Sequence, residues 1–500
     1  MMPGTSCIFR GPCTTSVCAK NLVSLSLINM KVKTISRLES DYTRERSNDI
    51  FKVQRNRDPT LHPFERAREY TRALNAVKLE RLFAKPFVRA LEGHQDGVYC
   101  LARHPSRITT LVSGSADGEV RVWNNATGNV AWLLRPAHKG FVRGIAFAPT
   151  ETNVFFTCGD DKVVRMWNGA AAGELGEERD QAAPSSSSSP FVLDTPTTTA
   201  PTASQTFQPS AAPLTSIDHH STRPLFATTS SAVELWEHSR LKPIRRFEWG
   251  CESLSAVKFN GTHGDVLAAC GSDRTVTVYD VRQEKAVQKV VLAMRSNAIS
   301  WNPQEPFNFA VANEDHNAYL FDMRNLAQSR LIYKDHVSAV IDIDFSPTGA
   351  ELATASWDRT LRIFSANTGH SRDVYHTQRM QRVTAVRWSL DARWVFSGSD
   401  EGNVRVWRGD AGSRAATQTP RQQTASSYRA TLASRFSHLP EIRRIANHRR
   451  VPKAVTVAKR TKEDMEESQK RKLKNFEKHS KPGTVQWKAE RKKSIVEVEQ

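Results

Sequence analysis

Three residues in one short stretch, His94, Ser115 and Asp117, are of the types that could activate a serine nucleophile for acyl transfer. A catalytic triad also needs an exposed nucleophile and an oxyanion site, and nothing in its chemistry predicts a regular repeat. The same residue types recur at a regular spacing along the chain: Trp123 closes the first set, then come His138, Asp161 and Trp167, then His336, Ser356 and Asp358. We therefore expect a structural hydrogen-bond lattice and predict no enzyme.

The pair His219-His220, which follows Asp218, could suggest a metal site. No cysteine, second carboxylate or further histidine stands at ligand spacing from the pair. The seven cysteines of the chain are scattered and form no CxxC pair, which is typical of a reduced cytosolic or nuclear protein. We expect the two histidines to be strand or turn residues, and the sequence predicts no metal ion and no cofactor.

Two tetrapeptides of the form aromatic–Asp–x–Arg could dock a partner: Tyr279-Asp280-Val281-Arg282 and Phe321-Asp322-Met323-Arg324. On an exposed turn, the aspartate and the arginine offer a carboxylate and a guanidinium fork to another protein. The alternative is that both are ordinary turn residues, since a surface arginine has little cost there. The occurrence of the same motif in two neighbouring repeats favours a docking role.

The net charge of +19 is distributed unevenly. Residues 1–90 carry +9 and residues 408–500 carry +13, whereas residues 91–407 carry −3. The flanks also contain aromatic residues and apolar residues at helical spacing, unlike ordinary solubility tails. We therefore expect the flanks to contact a polyanion such as RNA.

The basic residues of the C-terminal flank are the candidates for that contact. They are Arg443, Arg444, His448, Arg449, Arg450, Lys453, Lys470, Arg471, Lys472 and Lys474. One interpretation is a nuclear localisation signal on a solvated helix, and the other is direct contact with RNA phosphates; the two are compatible. Because each neutralised phosphate releases counterions, several such contacts would make binding strongly dependent on salt.

Seven copies of one motif run from Leu91 to Trp407 and contain the His, Ser, Asp and Asp-x-Arg residues described above. Each copy ends on an aromatic residue: Trp123, Trp167, Trp236, Tyr279, Phe321, Phe364 and Trp407. Five of the six intervals are 42 to 44 residues, the period of a four-stranded propeller blade, and the sixth is 69. Within a copy, alternation such as Val120-Arg121-Val122 predicts strands. The sequence predicts an all-β, seven-bladed propeller over residues 86–407.

The segments around the repeats predict other structures. The interval of 69 contains a Ser/Thr/Pro-rich insert over 169–213, which we expect to be disordered. Apolar spacing predicts a helix from Glu65 to Phe83 within a basic extension over 30–85, followed by a strand over 86–91 that completes the seventh blade. Residues 408–427 are a predicted linker and 428–500 a basic, helical region. Residues 1–29 resemble a transit peptide, although an extended gene model with Met30 as the natural start is the favoured interpretation.

The first copy, with Gly93-His94 at its start, resembles the WD40 family. That resemblance implies a His–Ser–Asp–Trp lattice within a blade, which His94, Ser115, Asp117 and Trp123 match. The second copy has Gly159 at the serine position, and the sixth ends on Phe364, which cannot donate a hydrogen bond. The third, fourth and fifth copies lack an obvious Gly-His opening. The lattice is therefore expected to be partial.

The flanks resemble a narrower family, the Sof-type WD-repeat proteins of the nucleolar small-subunit processome. The segments that carry the resemblance are Asp58 to Glu65, Arg72 to Ala76, His438 to Arg449 and Lys478 to Gly483. The resemblance implies association with U3 small nucleolar RNA particles, a role in 18S pre-rRNA maturation and a nuclear, nucleolar location. For animal members it also implies service as a substrate receptor of a cullin-RING ubiquitin ligase, to which the two Asp-x-Arg motifs correspond.

These observations lead to one predicted function and two alternatives. The prediction is a non-catalytic scaffold of the processome, a monomer within a large complex, with the propeller contacting proteins and the basic flanks contacting RNA, directly or through neighbours. The first alternative is a cullin-ligase substrate receptor that acts away from ribosomes. The second is an enzyme with its site in the central channel, which no cluster of titratable residues favours. Because no run of 18 apolar residues occurs, no membrane partner is expected.

Overall fold

The computed structural model describes residues 64–499 except 152, 170–202, 209–211, 249–251, 284, 414–416, 482–483 and 485–487. The predictions for residues 1–29, for most of the N-terminal extension and for the greater part of the insert lie outside the described residues. The helices within the described residues are α1 (Glu65–Leu82), α2 (Pro420–Arg435), α3 (Pro440–Asn447), α4 (Lys453–His479) and α5 (Glu490–Lys493). None of the described helices is long and apolar enough to cross a membrane.

Seven antiparallel sheets follow one another along the chain, which confirms the predicted seven-bladed propeller. Blade one contains β2 (Val98–Arg103), β3 (Thr110–Ser115), β4 (Val120–Asn124) and β5 (Val130–Leu134). Blade two contains β6 (Val142–Phe147), β7 (Val154–Gly159), β8 (Val164–Asn168) and β9 (Gln205–Phe207). Blade three contains β10 (Ser216–His219), β11 (Leu225–Thr229), β12 (Val233–Glu237) and β13 (Arg245–Phe247).

The remaining blades continue this pattern, and two of them take a strand from outside their own repeat. Blade four contains β14 (Leu254–Phe259), β15 (Val266–Gly271), β16 (Thr275–Asp280), β17 (Ala286–Leu292) and, from the C-terminus, β29 (Ile495–Glu499). Blade five contains β18 (Ser296–Trp301), β19 (Asn308–Asn313), β20 (Ala318–Asp322) and β21 (Leu331–Tyr333). Blade six contains β22 (Val340–Phe345), β23 (Glu351–Ser356), β24 (Leu361–Ser365) and β25 (Ser371–Tyr375). Blade seven contains β26 (Val383–Trp388), β27 (Trp394–Ser399), β28 (Val404–Arg408) and, from the N-terminal side, β1 (Phe87–Leu91).

Strand β1 closes the ring as predicted. It pairs antiparallel with β28, with Leu91 opposite Val404, and the Phe87 ring lies edge-on to Trp407 at 5.6 Å. The third strand of the last repeat would otherwise leave unpaired backbone groups at a sheet edge. A strand from the start of the repeat region removes that edge and joins the two ends of the ring.

The first strands of the seven blades lie side by side around a central channel. We call the face on which these strands begin the upper face and the face on which they end the lower face. Because each blade is an antiparallel meander, turns between the second and third strands lie on the upper face, and turns between the third and fourth strands lie on the lower face. The Asp-x-Arg motifs are therefore on the lower face.

Register shifts after the first residue of six of these strands create bulges, at Tyr99, Arg143, Ser255, Asn297, Ile341 and Thr384. In three cases the bulge residue joins its blade to the next one. Ser255 Oγ donates to the Ser296 carbonyl at 2.8 Å, and Asn297 Nδ2 donates to the Val340 carbonyl at 2.9 Å. Thr384 makes the same kind of bond to blade one. Short polar side chains at the bulges thus stabilise the ring between blades.

Three predictions about the flanks and the insert are wrong in part. Phe207 of β9 is fully buried and pairs with β8, so the end of the predicted disordered insert is the fourth strand of blade two. Helix α2 begins at Pro420, inside the predicted linker, because Thr419 and Gln422 form a capping box. The C-terminal region also ends in a strand, β29, whose alternating apolar residues were not recognised in the sequence.

The C-terminal region contacts the rest of the protein at several separate points. Helices α2 and α3 pack on α1 through a small apolar cluster of Ala73, Val77, Leu432 and Ile442. The chain then runs past blades six, five and four, opposite to their order in the sequence. We call residues 449–499 the C-terminal strap. Its last strand, β29, pairs with β17, with Val498 opposite Val290.

Candidate interaction sites

The lattice of blade one is centred on Ser113. Trp123 Nε1 donates to Ser113 Oγ at 2.7 Å, and the same hydroxyl is hydrogen-bonded to His94 Nε2 at 2.6 Å. The prediction that Ser115 bridges these residues is wrong. Trp123 lies directly opposite Leu111, so Ser113 is its diagonal neighbour. Ser115 stands four residues along from that point, about 14 Å at strand rise, beyond the reach of the indole.

The carboxylate of blade one was also misassigned. Asp117 is exposed in the turn, where its backbone N–H donates to Ser115 Oγ. The buried carboxylate that faces His94 is Glu119, with Oε2 3.7 Å from Nδ1. Burial, followed by the nearby Arg121 guanidinium, lowers the pKa of His94 to about 3, so this imidazole is neutral at physiological pH.

Blade two shows the lattice with a threonine as its bridge. His138 Nδ1 is hydrogen-bonded to Asp161 at 2.9 Å, and its Nε2 is hydrogen-bonded to Thr157 Oγ1 at 2.7 Å. Trp167 Nε1 donates to the same hydroxyl at 2.8 Å. The bridging position is therefore Thr157 and not Gly159, two residues further along, for the same geometric reason as in blade one.

Blade six keeps the histidine part of the lattice. His336 is hydrogen-bonded to Asp358 at 2.8 Å and to Thr354 Oγ1 at 2.7 Å. Ser356, the predicted partner, donates instead to the Ala339 carbonyl at 2.8 Å. Phe364 contributes only its ring, as its chemistry requires.

Two blades hold part of the lattice that was not assigned from the sequence. Trp236 Nε1 donates to Thr228 Oγ1 at 3.1 Å in blade three, and Trp407 Nε1 donates to Ser397 Oγ at 2.7 Å in blade seven. In both blades the hydroxyl stands two residues from the position opposite the tryptophan. A search for Ser or Thr at that register would have found all four tryptophan bonds.

The lattice residues support the blades and do not form a reactive centre. Ser113, Thr157 and Thr354 are fully buried, and each is already bonded to a histidine. A nucleophile must be exposed to its substrate. Among the described residues, no group of three His, Cys, Asp or Glu side chains is arranged to hold a metal ion. His219 is buried and bonded to His238, and His220 caps the turn that follows it.

The two Asp-x-Arg motifs adopt one geometry. Arg282 reaches both carboxylate oxygens of Asp280 at 3.2 Å, and Arg324 reaches those of Asp322 at 3.1 and 2.8 Å. The hydrogen bonds from Arg324 hold the pKa of Asp322 below its usual value, so the pair is ionised. Bidentate pairing fixes the plane of each guanidinium group.

These guanidinium groups remain accessible. The side chains of Arg282 and Arg324 are 70% and 63% exposed. Arg324 also lies over the ring of Phe307, 4.3 Å from its centroid, and Phe307 is itself exposed on the lower face. Two ordered forks at equivalent positions of neighbouring blades form a surface suited to a protein partner with acceptor groups.

The candidate RNA-contact residues divide into two groups. Arg449 does not match the prediction, because its Nε lies 3.0 Å from Asp373 and donates to the Arg372 carbonyl at 2.6 Å, and its side chain is 16% exposed. The remaining residues are exposed, and none forms an ion pair within the part of the chain that the structure describes. They are Arg443, Arg444, His448, Arg450, Lys453, Lys470, Arg471, Lys472 and Lys474.

Ion pairs and backbone hydrogen bonds hold the C-terminal strap along the propeller. Lys459 lies 3.8 Å from Asp335, and Lys462 Nζ donates to the His336 carbonyl at 3.4 Å, both on the upper face at blade six. Ser329 N–H donates to the Arg491 carbonyl at 3.2 Å beside blade five. The residues at 470–474 lie within α4 between these two anchors and stay exposed. The strap therefore presents them on an ordered element.

Comparison with known proteins agrees with a division of the chain into the repeats and the region that follows them. A WD domain, G-beta repeat model matches residues 85–124, 132–168, 327–365 and 368–408, and a Sof1-like domain model matches residues 409–495. The protein is similar to DDB1- and CUL4-associated factor 13 of Danio rerio, with 44% identity over 94% of this chain and 100% of the relative. It is also similar to Protein SOF1 of Saccharomyces cerevisiae, with 43% identity over 93% of this chain and 94% of the yeast protein.

A seven-bladed propeller with WD repeats, together with these relatives, defines a non-catalytic WD-repeat scaffold. Within that class, the chain belongs to the Sof1-like family of WD-repeat proteins.

Proposed function

We propose that the protein is a scaffold of the nucleolar small-subunit processome, required for 18S pre-rRNA processing and small ribosomal subunit assembly. The observation that carries this proposal is the exposed cationic group at 470–474, which the strap presents on helix α4 between two anchors on the propeller. Four cations within five residues suit the phosphates of a structured RNA particle. The name Protein SOF1 belongs to a yeast relative that matches almost the whole chain.

The propeller takes the protein contacts in this proposal. Its net charge is −3, so it lacks the general attraction for RNA that the flanks have. Proteins of the processome and the U3 particle are the proposed neighbours, and the nucleolus is the proposed location. The protein acts as a monomer held in a large complex.

Depletion and replacement test the proposal. Depletion should slow production of 18S rRNA while 28S rRNA continues, and the intact chain should restore it. A variant with Lys470, Arg471, Lys472 and Lys474 changed to glutamine should fail to restore it. The matched control changes four exposed cations of the propeller loops to glutamine and should restore it: Lys139, Lys242, Lys285 and Arg393. Equal loss of both rRNAs on depletion, or rescue by the 470–474 variant, would overturn the proposal.

A second function is favoured by the Asp-x-Arg surface. We infer that the paired forks of Arg282 and Arg324 bind the adaptor of a cullin-RING ubiquitin ligase, which makes the protein a substrate receptor. Several animal relatives carry the name DDB1- and CUL4-associated factor 13. The supporting observation is that both guanidinium groups are ordered and exposed before any partner binds.

Pull-down of the adaptor separates this function from the first. Arg282→Ala with Arg324→Ala should abolish adaptor recovery and leave 18S production intact. The control is Arg240→Ala, in the corresponding turn of blade three, where the arginine is 66% exposed and paired with Glu237 at 3.2 Å. Undiminished recovery by the double variant would show that the motifs are ordinary turns.

A further inference from the structure

The bulge positions of blades one and two differ from those of the blades described above. In blades four, five and seven a short polar side chain bonds to the next blade, whereas blade one has Tyr99 and blade two has Arg143. Tyr99 lies edge-on to Phe141 at 5.4 Å, and the Arg143 guanidinium lies over the same ring at 4.9 Å. Neither side chain forms a hydrogen bond to the next blade within the described residues, and both stand near the start of an inner strand, on the upper face.

Blades six and seven add a further aromatic residue and arginine on the upper face. Arg382 lies over the Trp357 ring, 5.1 Å from its centroid, and Trp357 is 45% exposed with the C-terminal strap in place. The loop that carries Asp400 packs on Gly97, where a Cβ atom would come within 3.2 Å of the Asp400 backbone. That close approach brings the blade-seven loop beside Tyr99. We call Tyr99, Phe141 and Trp357 the aromatic surface.

The charges around the aromatic surface are not balanced. Arg143 is neutralised by Asp160, with two hydrogen bonds of 2.8 and 3.1 Å. Asp96 and Asp400 are exposed, and neither forms an ion pair within the described residues. The exposed Arg382 guanidinium that lies over Trp357 is also without an ion pair there, so two unpaired carboxylates stand against one unpaired cation. Burial, then Asp400 and Asp96, raise the pKa of Tyr99, against the opposite effect of Arg143 and Arg382. A cationic ligand complements such a surface.

We propose that the aromatic surface binds an arginine-bearing extended segment of a partner protein, with the guanidinium group stacked on Tyr99 and paired with Asp96 and Asp400. Planar guanidinium groups combine aromatic stacking with carboxylate pairing, which a lysine ammonium does less well. RNA is the less suitable occupant, because two unpaired carboxylates would repel its phosphates. The surface is separate from the cations of α4, so the proposal goes beyond the proposed function and its test does not depend on it.

Binding of a short fluorescein-labelled Arg-Gly peptide to the full chain, followed by anisotropy, tests this proposal. The same peptide with citrulline in place of arginine should bind at least about tenfold more weakly, because the charge that pairs with the carboxylates is gone. Asp96→Asn with Asp400→Asn should also weaken binding of the arginine peptide about tenfold. Tyr99→Ala should weaken it about threefold, the loss expected of one exposed cation–π contact.

The matched control is Glu463→Gln with Glu467→Gln, which removes two exposed carboxylates from α4. It should leave peptide affinity unchanged, and Tyr99→Phe should retain stacking and most of the affinity, provided that the thermal transition of each variant matches that of the intact chain. Equal affinity for the citrulline peptide, or equal loss in the control, would overturn the proposal. The proposal would also be overturned if Tyr99→Ala weakened binding of an oligouridine RNA and left binding of the arginine peptide unchanged. That result would assign the surface to nucleic acid.

Discussion

The Arg449 guanidinium lies 3.0 Å from the Asp373 carboxylate on the outer strand of blade six. Arg81, near the end of α1, lies 3.3 Å from the same carboxylate. Cations from both flanks of the chain therefore meet at one acid of the propeller. The flanks are ordered on the ring at this point, and the cations left for a polyanion are those further along the strap.

Loss of this ion pair should loosen the strap. Asp373→Asn leaves the Arg449 side chain, which is 16% exposed, without its carboxylate. Breaking a buried pair by removing one partner costs about 3 kcal/mol. Hydrogen exchange of residues 453–479 should speed up, while the innermost strands of the propeller keep their protection. Arg408→Ala, which removes an arginine with no carboxylate partner in the described residues, is the comparison. Unchanged exchange in α4 would show that Asp373 does not hold the strap.

The choice of bridging hydroxyl can be tested within blade one. Ser113→Ala leaves His94 and Trp123 with unpaired buried groups, so it should lower the free energy of unfolding by about 2 kcal/mol. Ser115→Ala removes only a 3.4 Å bond to a carbonyl and a turn contact, and its effect should be smaller. Chemical denaturation of the two variants measures the difference. A larger effect of Ser115→Ala would restore the assignment made from the sequence.

The buried histidines should make the propeller sensitive to acid. The pKa of His94 is lowered to about 3 by burial, below its ordinary value of 6.5, so the unfolded chain binds more protons between these values. This contribution to stability is present above pH 6.5 and is lost as the pH falls from 6.5 towards 3. In blade two, Asp161 acts in the same direction: burial alone would raise its pKa, but the contacts with His138 and Arg165 lower it to about 2. Its contribution is lost between about pH 4 and pH 2.

Denaturation at a series of pH values checks this prediction. A His94→Asn variant should be less stable at neutral pH, and its stability should fall less steeply between pH 6.5 and pH 3 than that of the intact chain. Parallel pH profiles for the two chains would contradict the assignment of a neutral buried histidine.

Removal of the last strand should expose blade four and leave the ring intact. A chain that ends at Lys493 lacks β29, so the outer edge of β17 loses its backbone partner. Hydrogen exchange of Lys289 and Val291 should speed up, whereas β14 and β15 should be unaffected. Global unfolding on this truncation would show that the strap is part of the propeller fold and not an addition to it.

Sequence periodicity was sufficient to predict the seven blades of the ring. It was insufficient to predict which side chains bond to one another within a blade. The closing aromatic residues and the alternation around Val120 predicted the blades, and the need to pair an edge predicted β1. The lattice hydroxyls were misassigned by two residues, because the turns set the strand register and the spacing of residue types does not determine it. The position of Arg449 depends on contacts between residues far apart in the chain, which local patterns do not contain. Strand β9 was missed because three residues beside a Ser/Thr/Pro-rich segment carry little periodic signal.

Crosslinking of the protein to RNA in isolated ribosomal precursors, with sequencing of the recovered RNA, tests the central claim most directly. We expect crosslinks from the strap at residues 470–474 to U3 RNA or pre-rRNA. These crosslinks should disappear when Lys470, Arg471, Lys472 and Lys474 are changed to glutamine, while propeller contacts with neighbouring proteins remain. Crosslinks confined to the propeller, or crosslinks from the strap that persist in the glutamine variant, would contradict it.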